Sequence, residues 1–90
     1  MQAVRVRVTG RVQGVGFRHF VSRRAAELGV AGWVRNLPDG GVETEAVGGE
    51  AALARFVEAV RTGPRHARIL DASEHWFERT EAPSGFRIEA

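Results

Sequence analysis

Apolar and polar residues alternate at the start of the chain. Val4, Val6 and Val8 share one side of an extended segment, and Arg5, Arg7 and Thr9 share the other. A period of two predicts a half-buried strand over Ala3–Thr9. The period then lengthens. Phe17, Phe20, Val21, Ala25 and Leu28 recur at helical spacing, which predicts a helix over Phe17–Leu28. Gly29 follows as a left-handed C-cap. Val30–Leu37 reads as a second strand and Val42–Val47 as its return, with Pro38-Asp39-Gly40 as the turn of a hairpin. Gly48-Gly49 breaks the pattern. Ala52, Leu53, Phe56, Val57 and Val60 mark a second amphipathic helix; Glu50 suits its positive N-terminal end, and Gly63-Pro64 stops it. Ile69–Glu78 is a long strand of mixed polarity, Thr80–Gly85 a polar loop, and Phe86–Ile88 a candidate edge strand.

The order is therefore β-α-β-β-α-β. Two helices crossing one face of a four-stranded antiparallel sheet bury both apolar stripes at once. The expected fold class is α+β, a ferredoxin-like α/β sandwich, with a short C-terminal edge strand in addition. That fold hosts many unrelated functions and decides none of them.

Composition narrows the field. Ninety residues, 43% of them hydrophobic, predict one packed domain over residues 1–90. No apolar run approaches the ~20 residues that span a bilayer, and the chain starts directly on a strand pattern with no apolar leader. A cytoplasmic protein without membrane contact is expected. Cysteine is absent, which excludes disulfides, thiolate ligands and a thiol nucleophile. All thirteen basic residues are arginine. Without lysine there is no Walker-type phosphate loop and no lysine Schiff base. A net charge of +2 does not call for bulk nucleic-acid binding, but it is compatible with a small anionic substrate. His19, His66 and His75 fall on a helix start, a loop and a strand, without the paired spacing of a metal site. Each reads as a surface residue, and no metal is expected.

The stretch Gly10–Phe20 joins the first strand to the first helix and carries Gly14, Gly16 and then Arg18. Glycine tolerates positive φ and leaves room for a ligand to approach the main chain. The helix that follows adds unpaired N–H groups and about half a positive charge. Arg18 adds a planar fork of donors that matches phosphate oxygens. The stretch reads either as an anion cradle or as a plain strand-to-helix turn with a solvated arginine. The three glycines Gly10, Gly14 and Gly16 have the wrong spacing for a dinucleotide fold. Gln13–Arg18 holds no nucleophile before its arginine and no carboxylate to act as a base. If it serves chemistry, water is the attacking group, and the substrate is already labile. An acyl phosphate fits, because its leaving group is a carboxylate that needs little protonation; positioning and charge neutralisation then carry most of the work. Asn36, at the end of the second strand, offers a donor and an acceptor with which to orient that water. Equally, it is placed to shape the turn.

Gly10-Arg11-Val12-Gln13-Gly14-Val15-Gly16-Phe17-Arg18 resembles the first signature of the acylphosphatases. Gly32-Trp33-Val34-Arg35-Asn36, with Gly40, Val42 and Gly48 beyond it, resembles the second. The resemblance covers the chain in element order and thins after Gly63. It implies that Gln13, Gly14, Val15, Gly16, Phe17 and Arg18 bind the substrate phosphate, with Arg18 as the key cation. It implies that Asn36 orients the nucleophilic water. It also implies that no metal or cofactor takes part, that a small acyl phosphate is the substrate, and that inorganic phosphate is product and competitive inhibitor. A monomer is expected. Two other classes of function stay in view. One is a single-stranded RNA-binding ferredoxin-like module, against which stand the two acids and the lack of aromatics in Val42–Val47. There, Trp33, Trp76 and Phe77 are expected to pack in the core or on the sheet. The other is a non-catalytic acylphosphatase-like domain, of the kind found at the start of larger carbamoyl-transferring maturation enzymes.

Overall fold

The computed structural model describes all 90 residues. Its elements are β1 (Gln2–Arg11), α1 (Phe17–Leu28), β2 (Ala31–Asn36), β3 (Val42–Val47), α2 (Glu50–Thr62), β4 (Arg68–Glu78) and β5 (Phe86–Glu89). They form one five-stranded sheet in the order β4-β1-β3-β2-β5. The first four strands are joined by antiparallel pairings, as expected for a ferredoxin-like sandwich. The candidate edge strand is real and runs parallel to β2, from Gly32↔Phe86 to Arg35↔Glu89.

One face of the sheet takes both helices. Val4, Val6 and Val8 of β1, Val34 of β2, and Val42 and Ala46 of β3 point into a core of 15 buried residues. α1 contributes Phe17, Val21 and Ala25, spaced by one turn along a single stripe. α2 contributes Leu53, Phe56, Val57 and Val60. α1 stands over β2 and β5, and α2 over β1 and β4. The ring of Phe86 meets Phe56 edge-on at 5.9 Å, which pins the short β5 to the core. Glu50 in the first turn of α2 and Arg61 in its last complement the helix dipole.

The opposite face holds charge. Register places Arg5 and Arg7 of β1 beside Glu45 and Glu43 of β3, with Trp33 and Arg35 of β2 on the far side. Glu43 and Glu45 are each only 4% exposed, because arginines from both sides fold over them. Arg35 and Arg7 donate to separate oxygens of Glu43, and Arg5 and Arg79 to separate oxygens of Glu45. The aromatics Trp33, Trp76 and Phe77 belong to this surface and not to the core. Arg35 lies over Trp33, and Arg5 and Arg79 lie over Phe77. Trp76 is exposed and donates from Nε1 to Glu74.

β1 changes register between Thr9 and Gly10 against β4. Gly10 has φ 126°, and a Cβ there would run into the Arg68 carbonyl. Such an irregularity at a sheet rim re-aims the chain. Here it directs Val12–Gly16 towards the end of β2.

Candidate active site

The loop after β1 turns on two glycines. Gly14 and Gly16 have φ of 76° and 77°, and no residue other than glycine has positive φ anywhere in the chain. The sign of φ therefore alternates through Gly14, Val15 and Gly16. Alternation of this kind is the backbone pattern in which successive main-chain N–H groups form an anion-binding concavity. A Cβ built on either glycine meets nothing within 4 Å, so the glycines are required by the turn and not by crowding. Gly16 is also the N-cap of α1, with no side chain capping it. The first helical bond runs from the Phe20 N–H to the Gly16 carbonyl, which leaves the N–H groups of Phe17, Arg18 and His19 without helical acceptors. Phe17 is buried and anchors this turn. Gly63, beyond α2, approaches it so closely that a Cβ there would lie 2.9 Å from the Phe17 ring.

A hollow of about 160 Å³ opens in front of this loop, and Val12, Gly14, Gly16, Phe17, Arg18, His19 and Asn36 line it. Arg18 and Asn36, 18 positions apart in the chain, thus face one space. Arg18 is held from behind, since its Nη1 donates to the Glu89 carbonyl at 2.9 Å. Asn36 arrives on the last residue of β2, in register with Val42. Its side chain takes part in no hydrogen bond within the chain, so its donor and its acceptor are free for a ligand.

Two of the loop residues point elsewhere. Val15 packs against the core. The Gln13 side chain turns to the neighbouring hairpin, where Nε2 donates to the Leu37 carbonyl at 2.8 Å and to the Gly41 carbonyl at 2.9 Å. It is a strut between the loop that carries Arg18 and the hairpin that carries Asn36. Any contact that Gln13 and Val15 make with a ligand is through their main chain. Conversely, Val12 and His19 join the wall although neither is among the site residues expected from the sequence. The helical phase of His19 beside Arg18 is the only signal for it.

No three His, Cys, Asp or Glu side chains converge to hold a metal ion, and no helix is long and apolar enough to cross a membrane. A larger groove of about 340 Å³ lies on the charged face of the sheet. Its Arg5 and Arg7 are already bonded to Glu45 and Glu43, so it offers an incoming anion no arginine without a carboxylate partner. The 160 Å³ hollow has a cation, a turn on two left-handed glycines and a helix N-terminus together, and suits a tetrahedral oxyanion.

The chain is similar to known proteins along its whole length. A family model described as acylphosphatase matches residues 4–88. An acylphosphatase of Salinibacter ruber is 52% identical over 85 residues, which cover 94% of this chain and 90% of its own. The crystal structure of the acylphosphatase from Bacillus subtilis matches with a TM-score of 0.95 at 44% identity, over 100% of both chains. Full-length HypF, in a phosphate- and nucleotide-bound form, contains a similar region at 28% identity and a TM-score of 0.85, covering 99% of this chain and 12% of HypF.

Proposed function

The chain belongs to the acylphosphatase family, and from that premise we propose that a water oriented by Asn36 attacks a phosphoryl group held by Gln13–Arg18. The overall reaction is hydrolysis of an acyl phosphate to a carboxylate and inorganic phosphate.

The observation that carries the proposal is the convergence of Gly14, Gly16, Arg18 and Asn36 on one hollow. The phosphoryl oxygens take the main-chain N–H groups of Gln13–Arg18 and the guanidinium of Arg18. This preorganised positive field neutralises charge without reorganising during the reaction. Asn36 accepts from the water and aligns it with phosphorus. The water oxygen bonds to phosphorus, and the bond to the acyl oxygen breaks with its electron pair on the carboxylate. The proton of the water passes to a non-bridging oxygen of the phosphate, so the absence of a carboxylate from the wall is no obstacle. Residues 1–90 act as one unit in this reading: a cytoplasmic monomer without metal, cofactor or nucleic-acid partner. In support, Arg18 already supplies the cation that a metal would otherwise provide. In addition, β3, at the centre of the sheet, carries acids covered by arginine and no aromatic side chain of its own on which a base could stack. The match along the whole of both chains with the Bacillus subtilis enzyme favours a catalyst over a non-catalytic accessory domain.

Steady-state hydrolysis of acetyl and benzoyl phosphate tests the two roles. Arg18→Ala is expected to lose turnover and inhibition by inorganic phosphate together. Asn36→Ala is expected to lose about 10²–10³ in kcat while phosphate inhibition survives. Wild-type kcat/KM in Arg18→Ala, or wild-type kcat in Asn36→Ala, removes the corresponding role.

A further inference from the structure

We propose that His19 touches the acyl end of the substrate and donates a hydrogen bond to the departing carboxylate oxygen. The proposal rests on the hollow being the acyl phosphate site.

Only three side chains in the wall carry polar hydrogens: Arg18, His19 and Asn36. The guanidinium of Arg18 belongs to the phosphoryl group and is drawn towards β5 by the Glu89 carbonyl. Asn36 belongs to the attacking water. In an in-line displacement the attacking and departing oxygens lie on opposite sides of phosphorus, so the group that orients the water cannot also receive the leaving oxygen. That oxygen gathers negative charge as the bond breaks, and His19 is the one polar side chain of the wall left to meet it.

His19 is free for the task. It is exposed, and no hydrogen bond or ion pair of the structure involves its side chain. It follows Arg18 on the first turn of α1, where successive side chains are rotated by about 100°. The two therefore project from the same turn in different directions. Arg18 is the one arginine lining the hollow, and no carboxylate lines it to compete for the imidazole. The other histidines have different surroundings: His66 lies between α2 and β4, and His75 stacks on Phe77 across the charged face of the sheet. The step needs no proton from His19, because a carboxylate is a stable anion above about pH 4–5. A hydrogen bond suffices.

The test compares the full chain with His19→Ala and His19→Lys, using acetyl and benzoyl phosphate, with the inhibition constant of inorganic phosphate measured alongside. His19→Ala is expected to lower kcat/KM by about three- to tenfold, the size of one solvent-accessible hydrogen bond. The loss is greater for acetyl phosphate, whose carboxylate is the more basic leaving group. His19→Lys, which keeps a donor there, restores the rate, and the phosphate inhibition constant stays within about twofold throughout. The proposal is overturned if His19→Ala keeps wild-type kcat/KM, if both substrates lose equally, or if phosphate inhibition weakens in step with kcat/KM. The last result would place His19 in the phosphate cradle. A wild-type chain that hydrolyses neither substrate would instead remove the reading of the hollow itself.

Discussion

Arg18 donates from Nη1 to the main-chain carbonyl of Glu89 at 2.9 Å, tying the cation of the hollow to the outermost strand of the sheet. An arginine side chain carries about 2 kcal/mol of rotamer entropy, and fixing it before substrate arrives removes part of that cost from binding. Deleting Glu89 and Ala90 removes the carbonyl and leaves Phe86 against Phe56. The expected outcome is about a tenfold rise in KM and in the inhibition constant of phosphate, with a far-UV spectrum like that of wild type. Ala90→Gly, which keeps the Glu89 carbonyl in an amide, should change neither constant, and equal effects from the two changes would separate Arg18 from Glu89.

Gln13 braces the two halves of the site, and its chemistry can be inverted with little change in shape. Nε2 donates to two carbonyls, those of Leu37 and Gly41. Gln13→Ala loses both bonds, but each carbonyl keeps a main-chain donor, Gly40 N–H for Leu37 and Leu37 N–H for Gly41. A cost of about 1 kcal/mol follows, together with a several-fold drop in kcat as Asn36 loses its brace. Gln13→Glu brings an acceptor-only carboxylate to two acceptors. It should therefore be more damaging than Gln13→Ala in both thermal unfolding and kcat, the reverse of the order that size alone would give.

Two classes of glycine separate in the same way. At Gly14 a Cβ meets open space, and only the positive φ is strained. Gly14→Ala should destabilise the fold by about 1–2 kcal/mol, and its larger effect should be on phosphate binding, since a methyl group now stands at the hollow. At Gly32 a Cβ would collide with the Glu45 carbonyl inside the β2–β3 ladder. Gly32→Ala should compromise the fold outright, seen as loss of a cooperative thermal transition. A folded Gly32→Ala chain with wild-type stability would contradict that packing.

The sequence shows the fold almost completely, because each element carries its own period. Val4, Val6 and Val8 mark a strand, and Phe17, Val21 and Ala25 mark a helix, without reference to the rest of the chain. The cradle is legible for a related reason: a backbone that must turn its N–H groups inward needs glycine, and Gly14 and Gly16 record that need. Asn36 is not legible from its chemistry alone, since an asparagine before a turn has a sufficient local explanation; the resemblance of its surroundings to a second signature singles it out. The Glu89 carbonyl cannot be read at all, because a main-chain acceptor leaves no trace in residue type. His19 reads as a surface residue, and whether an exposed residue faces solvent or a hollow depends on what lies across from it. Glu43 and Glu45 mislead in another way. Alternation places them correctly on the face away from the helices, yet that face is not open water. They sit on the central strand β3, and arginines from β1, β2 and the segment after β4 close over them.

That closure has a pH signature. Burial pushes the Glu43 carboxyl up, but hydrogen bonds from Arg35 and Arg7, with their charges, together outweigh it and hold its pKa below the usual carboxylate value. A carboxyl with a lowered folded-state pKa binds its proton more weakly in the folded chain than in the unfolded one. Its contribution is therefore complete above the unfolded value of about 4.3 and is lost as the pH falls through the folded value beneath it. Arg7 and Arg35 are about half exposed, so solvent and salt screen part of the interaction. Glu43→Gln keeps the shape of the side chain and removes the charge. At pH 7 it should cost about 1–2 kcal/mol, which lowers Tm by roughly 5–10 °C in a domain of this size. As the pH falls below about 4 the wild-type curve should descend towards that of the variant, because the protonated carboxyl and the amide that replaces it both present the arginines with a neutral group. Thermal unfolding followed by circular dichroism from pH 2 to 7 reads the gap directly. A gap that stays constant to pH 2 would show that Glu43 contributes through packing and not through its charge.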